Sequence, residues 1–180
     1  MKGIVFTEFL EFVAARYGDD MVDDLIEACG LPNGGAYTAV GTYDHEEMVS
    51  LCAALSQRTG ESVAELNRSF GARLSDSFAA HYPDFFSRSD RFFDFLESIE
   101  AHIHQEVRKL YPGAELPTFR VHARSERQLV LDYRSPRRMS ALAEGLVAGS
   151  ASRFGVVAAV RTEALDDGDG RAVRIFVDIQ

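Results

Sequence analysis

Cysteine is scarce in this chain, proline is nearly so, and basic charge is in deficit. Each shortage excludes something. The two cysteines, Cys29 and Cys52, have a spacing that fits neither a zinc site nor a redox pair, and they read as thiols in helical core. The formal net charge of −9 argues against nucleic acid as a partner, because the dominant attraction to phosphate would be missing. It argues equally against an anionic membrane surface. No apolar run approaches the length of a spanning helix, and no basic segment with a cleavage site precedes the first residues. The expectation is a soluble, cytoplasmic protein. Internal repeats, low-complexity stretches and long charge blocks are also missing, as is any phosphoacceptor or phosphodonor sequence. A domain of this size without an effector of its own is expected to report to another protein.

What is present is aromatic and apolar. Thirteen Phe and six Tyr stand in 180 residues, enough for a sizeable core in one domain or two tightly joined subdomains. Apolar residues recur at helical spacing through Gly3–Tyr17, Met21–Cys29, His45–Thr59 and a segment around Ser62–Phe78. The breaks fall at Gly30–Gly35 and Tyr82–Pro83. Ser62, with Glu65 three residues later, predicts a capping box. The best-defined helix is predicted from about Ser89 to Tyr111, with a stripe of Phe92, Leu96, Ile99, Ile103, Val107 and Leu110, stopped by Pro112–Gly113.

The character changes after Pro117. Phe119–Arg124 and Gln128–Tyr133 have strand composition and are joined by the polar Ser125–Glu126–Arg127, a hairpin signal. A helix is predicted from about Arg138 to Phe154. Val156–Ala164, a turn at Asp166–Gly170 and Arg171–Ile179 follow, with Val173, Ile175, Val177 and Ile179 alternating so that one face is buried. The fold class is therefore α+β, a helical N-terminal part followed by an antiparallel sheet with one helix between its hairpins.

Two features could carry chemistry. Of five histidines, only His102 and His104 lie in the long amphipathic helix. At 100° per residue they flank the apolar stripe about a quarter-turn to either side, so periodicity does not choose between them. A histidine at the edge of such a stripe is commonly a boundary residue rather than a ligand. The second feature is Tyr133–Arg134–Ser135–Pro136–Arg137. In extended backbone, which Pro136 favours at Ser135, residues two apart share a face. Tyr133, Ser135 and Arg137 then offer two hydroxyls and a guanidinium fork, a set suited to one or two carboxylates. The plainer alternative is a strand end with a solvated arginine.

Tyr133-x-Ser135-x-Arg137 between a strand and a helix, some thirty residues after a helical histidine, resembles the signature of the haem–nitric oxide/oxygen binding (H-NOX) family. The resemblance spans the chain, from Met1–Lys2–Gly3–Ile4–Val5 through Ala101–Tyr111 and Ser135–Arg138 to Glu144–Gly145–Leu146 and the final strand pair. In that family the proximal ligand is followed five residues later by Lys and thirteen later by a Pro that presses on the porphyrin. His104 has Lys109 and Pro117 at those offsets, whereas His102 has Val107 and Glu115. The resemblance therefore implies His104 as the iron ligand of haem b, with Pro117 against the haem and Tyr133, Ser135 and Arg137 on its propionates. It also implies a helical distal subdomain over about residues 1–62 and a proximal subdomain over 63–180 with a four-stranded antiparallel sheet, haem lying between them. Gly145 and Gly149, one turn apart, would allow close backbone approach.

The same resemblance bears on the gas. Oxygen-binding members carry a distal tyrosine nine residues after the tyrosine of the triplet, and that position is Leu142 here. Leu74 and Phe9 stand where supporting polar residues assist, and Val5, Phe78 and Leu146 complete the implied distal wall. Bound oxygen carries partial superoxide charge and depends on a donor, whereas nitric oxide on ferrous iron does not. One missing charge-assisted hydrogen bond is worth about 1.5–3 kcal/mol, roughly ten- to a hundred-fold in affinity. The expectation is a nitric oxide sensor that excludes oxygen, also binds carbon monoxide, and signals to a partner through release of His104. An oxygen-binding or redox-sensing domain of the same fold is the alternative. A haem enzyme would need a polar distal pocket or a thiolate ligand, and a cofactor-free interaction module would leave the triplet and His104 without a purpose. The expected partner is a separate protein, a histidine kinase or a diguanylate cyclase or phosphodiesterase. No zinc is expected, since neither cysteine falls in the sheet region.

Overall fold

The computed structural model describes residues 1–165 and 171–180. Helices α1 (Gly3–Tyr17), α2 (Asp19–Cys29), α3 (His45–Thr59) and α4 (Val63–His81) come first, followed by the short α5 (Pro83–Ser87). Next are α6 (Phe92–Ser98), a π-helical turn (Ile99–Ile103) and α7 (His104–Leu110). The sheet strands are β1 (Thr118–Arg124), β2 (Gln128–Arg134), β3 (Ala158–Ala164) and β4 (Ala172–Ile179), with α8 (Ser140–Ala151) and a 3-10 turn (Ser152–Phe154) between the two hairpins. This is the expected α+β order. The expected turn at Asp166–Gly170 lies outside the described residues.

Local chemistry accounts for most boundaries. Ser62 accepts from the Glu65 backbone N–H at 3.2 Å while the Glu65 carboxylate accepts from the Ser62 N–H at 3.0 Å, the predicted capping box at the start of α4. Asp44 caps α3 by accepting from the Glu46 N–H. Pro83 opens α5 at a position where its missing N–H costs nothing.

The long helix expected over Ser89–Tyr111 is not continuous. It begins at Phe92, and at Ile99–Ile103 it widens so that the His104 N–H reaches back five residues to the Ile99 carbonyl. One extra residue in a turn rotates everything downstream, which regular 100° spacing cannot anticipate.

The four strands pair in the order β1-β2-β4-β3, all antiparallel. Tyr133 lies beside Phe119 on one flank and Val173 on the other. Leu129, Leu131, Tyr133, Val173, Ile175 and Val177 are buried in alternation, which is the inward face of the sheet. They pack with Phe92, Phe93, Phe95 and Leu96 of α6 and with Ala143 and Val147 of α8. A separate core joins Phe6, Phe9 and Val13 of α1 to Leu51 and Leu55 of α3 and Phe70 of α4. Leu66, Phe70 and Leu74 of α4 belong to this first core although they follow the division expected near residue 62. Helices α4 and α8 run together between the cores. A β-carbon on Gly71 would stand 2.4 Å from the Leu142 carbonyl oxygen, so glycine is what permits that closeness.

Candidate functional site

A cavity of about 320 Å³ is walled by both cores. Val5 of α1, Leu74 and Phe78 of α4, and Leu142 and Leu146 of α8 line it. So do His104, Pro117, Tyr133, Ser135 and Arg137. Residues separated by more than a hundred positions are thereby brought to one surface.

Phe9, which the resemblance set at the distal wall, takes another place. It is fully buried, its ring edge-on to Phe70 at 5.1 Å, and it is not among the cavity-lining residues. Four residues beyond Val5 it stands about 6 Å further along the helix axis, past the cavity and into the first core.

His102 and His104 take different environments. His102 is exposed, while the His104 side chain is only 12 % exposed and borders the cavity. The His104 Nδ1–H donates to Glu100 Oε2 at 3.0 Å, the same oxygen that accepts from the Phe119 backbone N–H at 3.3 Å. Arg108 donates to the other oxygen, Oε1, at 3.0 Å. Burial pushes the His104 imidazole below its ordinary pKa, against the opposing pull of Glu100. Glu100 is pushed up by burial, yet the hydrogen bonds from His104, Arg108 and Phe119 outweigh that and hold it below the usual carboxylate range. The result at neutral pH is an uncharged imidazole whose Nδ1 proton is engaged, leaving the lone pair on Nε2. That is the form in which histidine binds metals. Glu100 was not singled out in the sequence. The only signal was its position four residues before His104, and the nearest helical neighbour of a histidine is often a carboxylate for no special reason.

The triplet is organised from β2. Tyr133 is buried in its last paired positions, and Ser135 continues the chain with its N–H bonded to the Arg171 carbonyl at 2.8 Å. The Ser135 hydroxyl accepts from the Arg137 backbone N–H at 3.2 Å. Burial pushes the Tyr133 phenol above its ordinary pKa, with Ser135 and Arg137 opposing, so it is a proton donor throughout the physiological range. The Arg137 side chain is 14 % exposed and reaches Glu115 through Nη2 at 3.6 Å. Its Nε is buried without a hydrogen-bond partner. An orphaned guanidinium nitrogen beside two hydroxyls is unfavourable unless an acceptor is supplied there.

Hydroxyls on the other wall are already committed. Ser150 donates to the Leu146 carbonyl at 2.8 Å and lies 2.9 Å from the Ser75 hydroxyl, which leaves Ser75 donating to Ser150. Tyr82 also borders the cavity, stacked on Phe85 and 39 % exposed, and so stands at its rim. It passed unnoticed in the sequence because it reads as a helix-ending residue before Pro83.

An α+β domain with a mostly apolar internal cavity, a buried histidine and a carboxylate-seeking triplet has the form of a haem-binding domain. The family model for haem-NO-binding proteins matches residues 2–162. The unliganded ferrous H-NOX protein of K. algicida is 36% identical over 100% of this chain and 97% of its own, with a TM-score of 0.94. An H-NOX protein of S. oneidensis in its Fe(II)NO state is 27% identical over 100% of this chain and 99% of its own, with a TM-score of 0.91. No curated protein matches. The chain belongs to the haem-NO-binding (H-NOX) family, whose members are haem-binding gas sensors.

The residues present fit that group. The unpartnered Arg137 Nε, with the Tyr133 and Ser135 hydroxyls, suits propionate carboxylates. His104 is a neutral donor, and the remaining walls suit a macrocycle. Among the described residues no cluster of three or more His, Cys, Asp or Glu could hold a separate metal ion. No described helix is long and apolar enough to cross a membrane.

Proposed function

We propose that this protein is a nitric oxide sensor that binds haem b through His104 and excludes oxygen. Tyr133, Ser135 and Arg137 hold the propionates, and Pro117 bears on the macrocycle. When bound, haem would supply a ferrous iron able to take a diatomic gas. The observation that carries the choice of gas is the wall formed by Val5, Leu74, Phe78, Leu142 and Leu146, none of which bears a hydrogen-bond donor. A bound oxygen would find no free donor on that wall to stabilise its partial negative charge, because the Ser75 and Ser150 protons are already engaged. Nitric oxide needs no such donor, and carbon monoxide binds as a reporter.

His104 is the residue that converts binding into a signal. Were His104 to let go of the iron when nitric oxide is bound, α7 would be freed from its tether and the distal subdomain (about 1–62) would shift against the proximal one (63–180). A separate protein reads the shift, a histidine kinase or a cyclic-di-GMP cyclase or phosphodiesterase. The protein is a cytoplasmic sensor and not an enzyme.

The test is the absorption spectrum of reduced protein, in air and under nitric oxide. A five-coordinate ferrous haem that air leaves unliganded, and that gives a five-coordinate nitrosyl, is the expected result. A stable oxygen complex would instead favour the oxygen-sensing alternative, with the Tyr82 hydroxyl the donor to remove. Protein without haem would overturn the reading.

A further inference from the structure

The His104 ring is hydrogen-bonded at Nδ1. It meets a carboxylate held from three directions. Glu100 Oε2 receives the His104 Nδ1–H at 3.0 Å and the Phe119 N–H at 3.3 Å, and Oε1 receives Arg108 at 3.0 Å. Two of those donors, His104 and Arg108, belong to α7 and the third to β1, so the carboxylate is clamped between helix and sheet. The Phe119 ring lies 5.9 Å from the His104 ring, limiting how the imidazole can turn. Glu100 itself sits in the π-helical turn Ile99–Ile103, immediately before His104. Such turns recur at functional sites because they re-aim the residues that follow.

We propose that Glu100 is a positioning residue for His104. Its carboxylate holds the imidazole as the Nδ1–H tautomer, strengthens Nε2 as a donor to iron, and so sets how firmly His104 stays attached and how readily it lets go. The physical basis is general: a carboxylate accepting the far N–H of a metal-bound histidine fixes the ring and makes it a better ligand, and removing it commonly weakens metal binding about 10- to 100-fold. Arg108 moderates the effect by drawing on the same carboxylate. The inference rests on His104 being the iron ligand.

The experiment compares the iron–histidine stretching band of the reduced, unliganded holoprotein by resonance Raman spectroscopy in three forms. These are the native chain, Glu100→Gln, which keeps an acceptor but loses the charge, and Glu100→Ala, which loses both. A band that falls in frequency from native to Gln to Ala is expected, together with haem loss roughly tenfold or more faster in the Ala variant. A role confined to folding would change melting temperature without grading the band between Gln and Ala. An iron–histidine band identical in all three would overturn the role of Glu100 while leaving His104 as ligand. The complete lack of such a band in the native protein would overturn the His104 assignment itself. If Glu100→Ala does not fold, the near-isosteric Gln variant decides the question alone.

Discussion

A β-carbon placed on Gly145 would lie 2.1 Å from the carbonyl oxygen of Arg68. No real contact is that short, so α8 and α4 approach as they do only because position 145 has no side chain. The same pair of helices also brings Leu74 and Leu142 to one wall of the cavity. Gly145→Ala is therefore expected to push the helices apart and to destabilise the fold by about 1–3 kcal/mol, as overpacking does. Urea unfolding of the two proteins measures it, and an unchanged midpoint would mean that the helices separate without strain.

Leu142→Tyr adds a phenolic donor to a wall whose hydroxyls, Ser75 and Ser150, are already committed. The variant is expected to gain a ferrous oxygen complex, with affinity raised roughly ten- to a hundred-fold by one hydrogen bond of about 1.5–3 kcal/mol. Oxygen titration of the reduced protein is the measurement. No gain would show that the new hydroxyl does not reach the gas-binding side of the iron.

Arg137→Leu removes the buried guanidinium whose Nε has no partner within the protein. If that nitrogen serves a propionate, the variant should release haem about ten- to a hundred-fold faster to an excess of competing apoprotein. It should not lose its fold, because Nε gives up no hydrogen bond and the ion pair lost from Nη2, to the exposed Glu115 at 3.6 Å, is a weak one. An equal rate of haem loss would count against the propionate role.

Asp132 and Arg174 face each other on β2 and β4, with Arg174 Nε donating to Asp132 Oδ1 at 2.8 Å. The Arg174 hydrogen bond holds the Asp132 carboxyl below its ordinary pKa, with burial opposing. A depressed folded-state pKa means that the unfolded chain binds the proton more readily. The stabilisation is then fully present above the ordinary carboxylate pKa and is lost as pH falls through the lower folded value. The difference in stability between native protein and Asp132→Asn should accordingly be constant near neutrality and vanish in strong acid. It is expected to be small, since the pair is at the surface. Unfolding curves across that pH range check it.

Much of the architecture is legible one segment at a time. Ser62 and Glu65 announce the start of α4, and Val173, Ile175 and Val177 declare the inward face of β4, because capping and pleat alternation are decided by residues within a few positions of each other. The interrupted helix was less legible. Nothing in the spacing of Leu96, Ile99 and Ile103 reveals the wide turn, which depends on what the helix packs against.

The candidate site divides along the same line. An α+β domain, a helical histidine pair and a tyrosine–serine–arginine face could be read from the chain, since each follows from local periodicity and the chemistry of side chains. That His104 borders the cavity while His102 faces out, and that Phe9 turns into the core, came from packing in three dimensions. So did the meeting of Glu100 with His104 and the Phe119 N–H together. Those outcomes depend on where α1, α7, β1 and β2 come to rest against one another, and long-range packing of that kind leaves no periodic trace in the chain.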